Sequence, residues 1–175
     1  MTKIALLSDI HGNLTAFEAV VADSKLASVD EYWLLGDSFL IGHADQDLLE
    51  QLAALPITAS IRGNWEDVIL SVLKGEFRAD QPADIYFARL VQYLMERSKE
   101  PVLTFIESTT MSIEKEVRGL KFLLAHQLPD KNYGRDLLMT SPQENFDQLF
   151  EQSQADIAIF GHIHKQGMRY SSQDQ

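Results

Sequence analysis

Five short apolar runs in this chain each stop on a residue type able to bind a metal ion. "KIALLSDIH" (3–11) ends on Asp9 and His11, and "EYWLLGD" (31–37) ends on Asp37. "ITASIRGN" (57–64) ends on Asn64, "LKFLLAH" (120–126) on His126, and "DIAIFGHIH" (156–164) on His162 and His164. The runs are rich in Leu, Ile, Val, Phe and Trp and mostly lack alternation, which is how strands covered on both faces read. A polar residue after one strand carries no information. Five such endings, which take up four of the five histidines in the chain, point to one shared site.

Segments with helical spacing separate the runs. Residues 13–27 carry Leu14, Phe17, Val20, Val21 and Leu26, with Asn13 placed to cap the helix. "ADQDLLEQLAAL" before Pro56, "NWEDVILSVLKG" before its glycine stop, "PADIYFARLVQYLMER" and "SPQENFDQLFEQ" predict four more helices. Strands alternating with helices predict an α/β fold with parallel pairing in its first half. "MSIEKEVRGLKFLLAH" breaks the rhythm, and its Arg118-Gly119 pair predicts a hairpin, so the sheets should be mixed. In open α/β sheets, sites form outside the carboxyl ends of the strands.

A length of 175 residues suits one domain spanning 1–175. The absence of cysteine removes disulfides and a thiol nucleophile, and it fits a reducing compartment. "IALL" is too short for a signal sequence and no run approaches the roughly 18 apolar residues of a membrane span, so the expectation is a cytoplasmic protein without a membrane partner. A net charge of -11 disfavours nucleic acid, and the chain has no basic stretch interleaved with aromatics. The same charge would repel an anionic substrate unless a bound cation reverses the sign locally.

The candidate ligands are Asp9, His11, Asp37, Asn64, His126, His162 and His164. Imidazole, carboxylate and amide oxygen suit Mn²⁺, Fe, Zn²⁺, Co²⁺ or Ni²⁺. These seven side chains exceed the needs of one ion and match two ions about 3.5–4 Å apart that share a carboxylate.

"DIH" (9–11), "GD" (36–37), "GNWE" (63–66), "AH" (125–126) and "GHIH" (161–164) together make the chain resemble the calcineurin-like metallophosphoesterases. The likeness is closest to their small bacterial phosphodiesterase-like members. It implies a sandwich of mixed sheets flanked by helices, and two divalent cations, Mn²⁺ foremost. It also implies a water-driven hydrolysis of phosphodiesters or small phosphorylated metabolites. Carried over by residue, it implies that Asp9, His11 and His164 hold one ion, Asn64, His126 and His162 the other, and that Asp37 bridges them. A non-catalytic scaffold of the same fold is the alternative function, and a homo-oligomer is compatible with either.

The chain departs from the family pattern at four places. Trp65 stands where the family usually has a histidine, and indole donates a hydrogen bond but cannot cycle a proton. Trp65 reads as a pocket wall or a packing residue, or as a surface for a substrate base. His43 in "SFLIGHAD" is a candidate replacement acid, or else a surface loop histidine. Arg62 is a candidate phosphate contact, or else a strand-end residue paired with an acid. Gln127 replaces a usual glycine, which predicts a different loop after His126. The helix at about 81–97 is an expected insertion, covering the sheet, capping the site or making a dimer contact. The family continues beyond the point where "SSQDQ" ends, so the last strand is expected to be truncated or finished differently.

Overall fold

In the strand β2 (Glu31–Leu35), Tyr32, Trp33, Leu34 and Leu35 are all buried. The two-residue period of a strand sends neighbours to opposite faces. Tyr32 and Leu34 therefore enter one apolar cluster with Leu7, Phe17, Leu48 and Ile69, while Trp33 and Leu35 enter another with Ile61 and Leu124. The missing alternation in the sequence is explained by this double cover.

The computed structural model describes residues 2–43, 46–151 and 153–172. One sheet has the order β1-β2-β3, all parallel, with β1 at Ile4–Leu7 and β3 at Ile57–Ile61. The helices α1 (Leu14–Leu26) and α2 (Gln46–Ala53) connect these strands, as parallel pairing requires. Ala44 and Asp45, where the second helix was expected to begin, lie outside the described residues. A second sheet has the order β4-β5-β6, from Ser112–Val117, Leu120–Ala125 and Ile157–Phe160. β4 and β5 form the expected antiparallel hairpin, and β5 and β6 are parallel. Its turn residues Arg118 and Gly119 have φ of 54° and 82°, the mirror-image turn that suits strand twist.

The layers run from helices through the first sheet and the second sheet to a short outer cover. Leu7, Tyr32 and Leu34 meet α1, α2, α3 (Asn64–Lys74) and α4 (Pro82–Glu107). Trp33, Leu35, Ala59, Ile61 and Leu124 fill the space between the sheets. Leu123 faces the other way, onto Leu128, Leu137, Phe146 and Leu149 around α5 (Gln143–Asp147). No helix among the described residues is long and apolar enough to cross a membrane.

Two helices differ from their sequence expectation. α4 does not stop at Arg97 but bends at Ser98 (φ -145°, ψ 34°) and continues to Glu107. Pro101 is the cause, because it has no N–H for the carbonyl four residues back, that of Arg97. Burial of Val102 and Ile106 holds the second half of the helix against the core. α5 is only one turn and a half, with Pro142 before its first residue, and tighter turns follow in which Leu149 N–H donates to Phe146 and Phe150 N–H to Asp147.

Candidate metal centre

Asp9, His11, Asp37, His162 and His164 all adopt φ between 49° and 68°, the left-handed region that Asp and His tolerate better than most residues. Each follows the end of β1, β2 or β6, and this turn directs its side chain across the carboxyl rim of the sheets. The first two rim loops meet closely: a Cβ at Gly36 would overlap the backbone of Gly63, and one at Gly63 would overlap the Asp37 carboxylate. Glycine is required at both positions for the loops to touch.

Two ligand-type groups result, one of Asp9, His11 and His164 and one of Asp37, His126 and His162. His164 Nε2 is 3.0 Å from Asp9 Oδ1 and 3.0 Å from His11 Nε2. His126 Nε2 is 3.2 Å from Asp37 Oδ2, 3.2 Å from Asn64 Oδ1 and 3.3 Å from His162 Nδ1. Asp37 Oδ2 also lies 3.9 Å from His11 Nε2, so it stands between the groups. The seven side chains picked out from the sequence are thus brought to one place.

The outward atoms of five of these side chains, Asp9, Asp37, His11, His126 and His162, are already engaged. Asp9 Oδ2 accepts from Ser8 Oγ at 2.5 Å and from the His162 N–H at 3.0 Å, which leaves Oδ1 facing inward. Asp37 Oδ1 accepts from the Trp65 N–H at 2.9 Å, which leaves Oδ2. His11 Nδ1 donates to the Leu40 carbonyl (2.5 Å), His126 Nδ1 to that of Leu35 (2.6 Å), and His162 Nε2 to that of Gly134 (2.9 Å). A neutral imidazole with one N–H engaged presents only a lone pair from its other nitrogen. Three imidazole nitrogens and two carboxylate oxygens converge in this way, a set of donor atoms that fits divalent metal ions. With no cation present, protonation is the alternative. Burial pushes the His126 pKa down, but the hydrogen bond and charge of Asp37 outweigh it, with help from Leu35 and Asp9, and the pKa is raised.

Sequence reasoning missed the residues that hold this set through the backbone. Glu66 is 1% exposed and takes the N–H groups of Asp37 (2.8 Å) and Gly63 (2.7 Å) on Oε2 and that of Ser38 (2.8 Å) on Oε1. Burial, then the Asp37 charge, raises its pKa, while its backbone hydrogen bonds oppose the shift. The acid in "GNWE" was visible in the sequence; its role was not. Asn132, in the loop after His126, donates to the Gly63 carbonyl (3.0 Å) and to Asp67 (2.7 Å), with no motif to mark it. That loop, in the region where Gln127 predicts a change of shape, brings the Gly134 carbonyl to His162.

The remaining candidates fall in different places. Arg62 donates through Nε to Asp67 at 2.8 Å and through Nη1 to the Thr109 carbonyl at 3.3 Å, the arrangement of a strand-end ion pair. His43 is exposed and lines a groove of about 540 Å³ together with Asp9, His11, His164, Asp47 and Arg97. Trp65 packs edge-on against Phe87 of α4 (4.7 Å between centroids) and stands 6.4 Å from the His11 ring. A larger cavity of about 720 Å³ among α2, β3 and α4 has no titratable lining residue and lies apart from this chemistry.

The strand-end ligand rim over two stacked sheets is the architecture of a metallophosphoesterase. The sequence profile of the calcineurin-like phosphoesterase superfamily domain matches residues 2–174, and the chain belongs to that superfamily. It is 27% identical over 163 residues to the uncharacterized protein MJ0912 of Methanocaldococcus jannaschii, covering 93% of this chain and 63% of the relative. Its fold is similar to that of the hypothetical protein PH1004 from Pyrococcus horikoshii OT3 (TM-score 0.66, 16% identity, 85% of this chain and 64% of the other). It is also similar to a metallophosphoesterase from Sphaerobacter thermophilus (TM-score 0.53, 24% identity, 74% and 48% coverage). The chain thus spans 63% and 64% of the lengths of the first two relatives. Divalent metal ions and phosphoester hydrolysis are the general properties of this superfamily, and the clustered ligand groups accord with them.

Proposed function

We propose that this protein is a dinuclear metal-dependent phosphoesterase of the cytoplasm that hydrolyses phosphodiesters or small phosphorylated metabolites. The observation that carries the reading is the convergence of Asp9, His11 and His164 in one group and Asp37, His126 and His162 in the other, with three of the imidazoles held by backbone carbonyls. Asp9, His11 and His164 would hold one ion, and Asn64, His126 and His162 the other. Asp37, with Oδ2 between the groups, would bridge them. Mn²⁺ is the favoured metal, and Fe, Zn²⁺, Ni²⁺ or Co²⁺ suit the same donors. Such ions supply charge to offset the phosphoryl oxygens and a water activated near neutral pH.

The chain's own contribution is to fix that donor set. Backbone carbonyls hold three imidazole tautomers, and backbone N–H groups hold both carboxylates. His43 is exposed in the adjoining groove and supplies a proton donor for the leaving oxygen, since Trp65 cannot. Arg62 is held by Asp67 and Thr109, which favours a structural role for it. The likeness to the small phosphodiesterase-like members favours diesters over monoesters. The test compares bis-p-nitrophenyl phosphate with p-nitrophenyl phosphate, with Mn²⁺ and after chelation. Mn²⁺-dependent turnover, greater for the diester, is expected. Inactivity with Mn²⁺, Ni²⁺, Co²⁺ and Zn²⁺ alike would favour a non-catalytic scaffold.

A further inference from the structure

The cavity of about 720 Å³ among α2, β3 and α4 shares no residue with the metal centre, and its volume lies within the range of small-molecule sites. Its floor is apolar: Leu52 and Ala59 are buried, and Leu49, Leu55, Ile57 and Phe105 are half-buried. Its rim carries hydroxyls, since Thr58, Thr104, Ser108 and Thr110 are the exposed polar residues of the wall. No lining residue is charged, in a chain of net charge -11. A charged ligand would leave water here without an ion partner, at a cost far above that of burying a neutral one.

The rim also sets the direction of the hydrogen bond. Ser108 Oγ donates to the Phe105 carbonyl (2.6 Å), Thr110 Oγ1 to that of Ser112 (3.0 Å), and Thr58 Oγ1 to Glu31. A hydroxyl has one proton and two lone pairs, so with its proton engaged it meets a ligand as an acceptor. A head group that donates, through an O–H or an N–H, is matched to these three. An ether or a carboxylate, which can only accept, is not. Ser60 lines the same cavity, and its Oγ is buried with no partner among the described residues, which a bound head group would supply. The occupant is a compact molecule and not an added strand. β3 is the last strand of its sheet, yet its Thr58 carbonyl accepts from Lys115 Nζ (2.9 Å) and its Ile61 pairs with Thr110. Ala59 and Ser60, between them, are too few to pair with a peptide strand.

We propose that this cavity is a ligand site for a small neutral amphiphile, with its apolar body on the floor and a hydrogen-bond donor against the rim hydroxyls. The proposal is independent of the phosphoesterase reading.

The test uses N-phenyl-1-naphthylamine, a neutral probe with one N–H whose fluorescence rises in apolar surroundings. Its partner is 1-anilinonaphthalene-8-sulfonate, which has the same rings and a negative charge. Titrated into the full chain, the neutral probe is expected to saturate at one per chain and the sulfonate to bind about tenfold more weakly. 1-Octanol should displace the neutral probe at about a fifth of the concentration needed of its isomer heptyl methyl ether, the scale of one neutral hydrogen bond, and octanoate should be weaker than the alcohol. Thr104 and Ala53 are exposed on opposite walls, so Thr104→Trp and Ala53→Trp fill the cavity from α4 and from α2 without entering the core. Each should weaken the neutral probe by about tenfold with an unchanged Tm. Thr104→Lys, which brings a cation to the rim, should instead raise the affinity of the sulfonate. No saturable binding of the neutral probe, or binding that survives both tryptophan variants, would overturn the proposal. Displacement by the ether or by octanoate as effective as that by octanol would overturn it as well.

Discussion

Glu66 touches none of the inward-facing ligand atoms, yet the positions of Asp37 and Asn64 depend on it. Its two oxygens hold the N–H groups of Asp37, Ser38 and Gly63, which ties the loop after β2 to the start of α3. In Glu66→Gln one oxygen becomes an NH₂ group that faces a backbone N–H. A stranded buried donor costs about 1–3 kcal/mol, and the variant should lose that much in urea unfolding. Misplacing the Asp37 carboxylate should also weaken Mn²⁺ binding by about 10–100-fold, read by calorimetry. A variant of wild-type stability and wild-type Mn²⁺ affinity would show that the loop holds itself. This residue also marks the limit of what could be read from the chain. That Asp9, His11, Asp37, Asn64, His126, His162 and His164 would meet could be anticipated because only a few side-chain types bind metals and each follows an apolar run. Glu66 and Asn132 act on backbone groups, which every residue carries, so neither spacing nor residue type reveals their partners.

At the scale of elements, the strand runs, the parallel pairing of the first half and the hairpin were readable, and the helix ends were not. A proline in a helical pattern either ends the helix or bends it. Which outcome occurs in α4 is decided by the burial of Val102 and Ile106, a tertiary fact with no local signature. The short α5 has the same origin, with Phe146 and Leu149 fixed by the second sheet and not by helical periodicity. The bend gives a prediction of its own. Pro101→Ala restores an N–H to the Arg97 carbonyl and favours a straighter helix, relieving a penalty of about 3 kcal/mol for proline in a helix interior. The expected result is greater stability in urea unfolding with unchanged Mn²⁺ affinity, since none of the seven candidate ligands lies on α4. Stability equal to that of the unaltered protein would show that the packing of Val102 and Ile106, and not Pro101, sets the bend.

For the whole molecule, the ligand set is divided between the two sheets. Asp9, His11, Asp37 and Asn64 follow strands of the first, and His126, His162 and His164 follow strands of the second. Each ligand group draws on both sheets, so a bound cation would clamp one sheet to the other across the cluster around Trp33 and Leu124. A ligand that binds only the folded state stabilises it, by about 2.7 kcal/mol at a hundred times its Kd. The sign of the pH dependence follows from His126, whose folded-state pKa is raised. Stability from protonated His126 beside Asp37 is fully present below the pKa of the unfolded chain. It is lost as pH rises through the folded pKa. Metal binding needs the neutral imidazole, so the cation competes with that proton and binds more tightly as the pH rises. The metal-free protein therefore loses this contribution over the range in which the cation gains affinity. In thermal unfolding, the increase in Tm caused by saturating Mn²⁺ should grow between about pH 6 and about pH 8. The metal-free Tm should fall over the same interval. In His126→Ala both trends should flatten, because the competing proton is gone along with one ligand of the second group. An increment independent of pH in the unaltered protein would mean that Mn²⁺ binds without displacing a proton from His126.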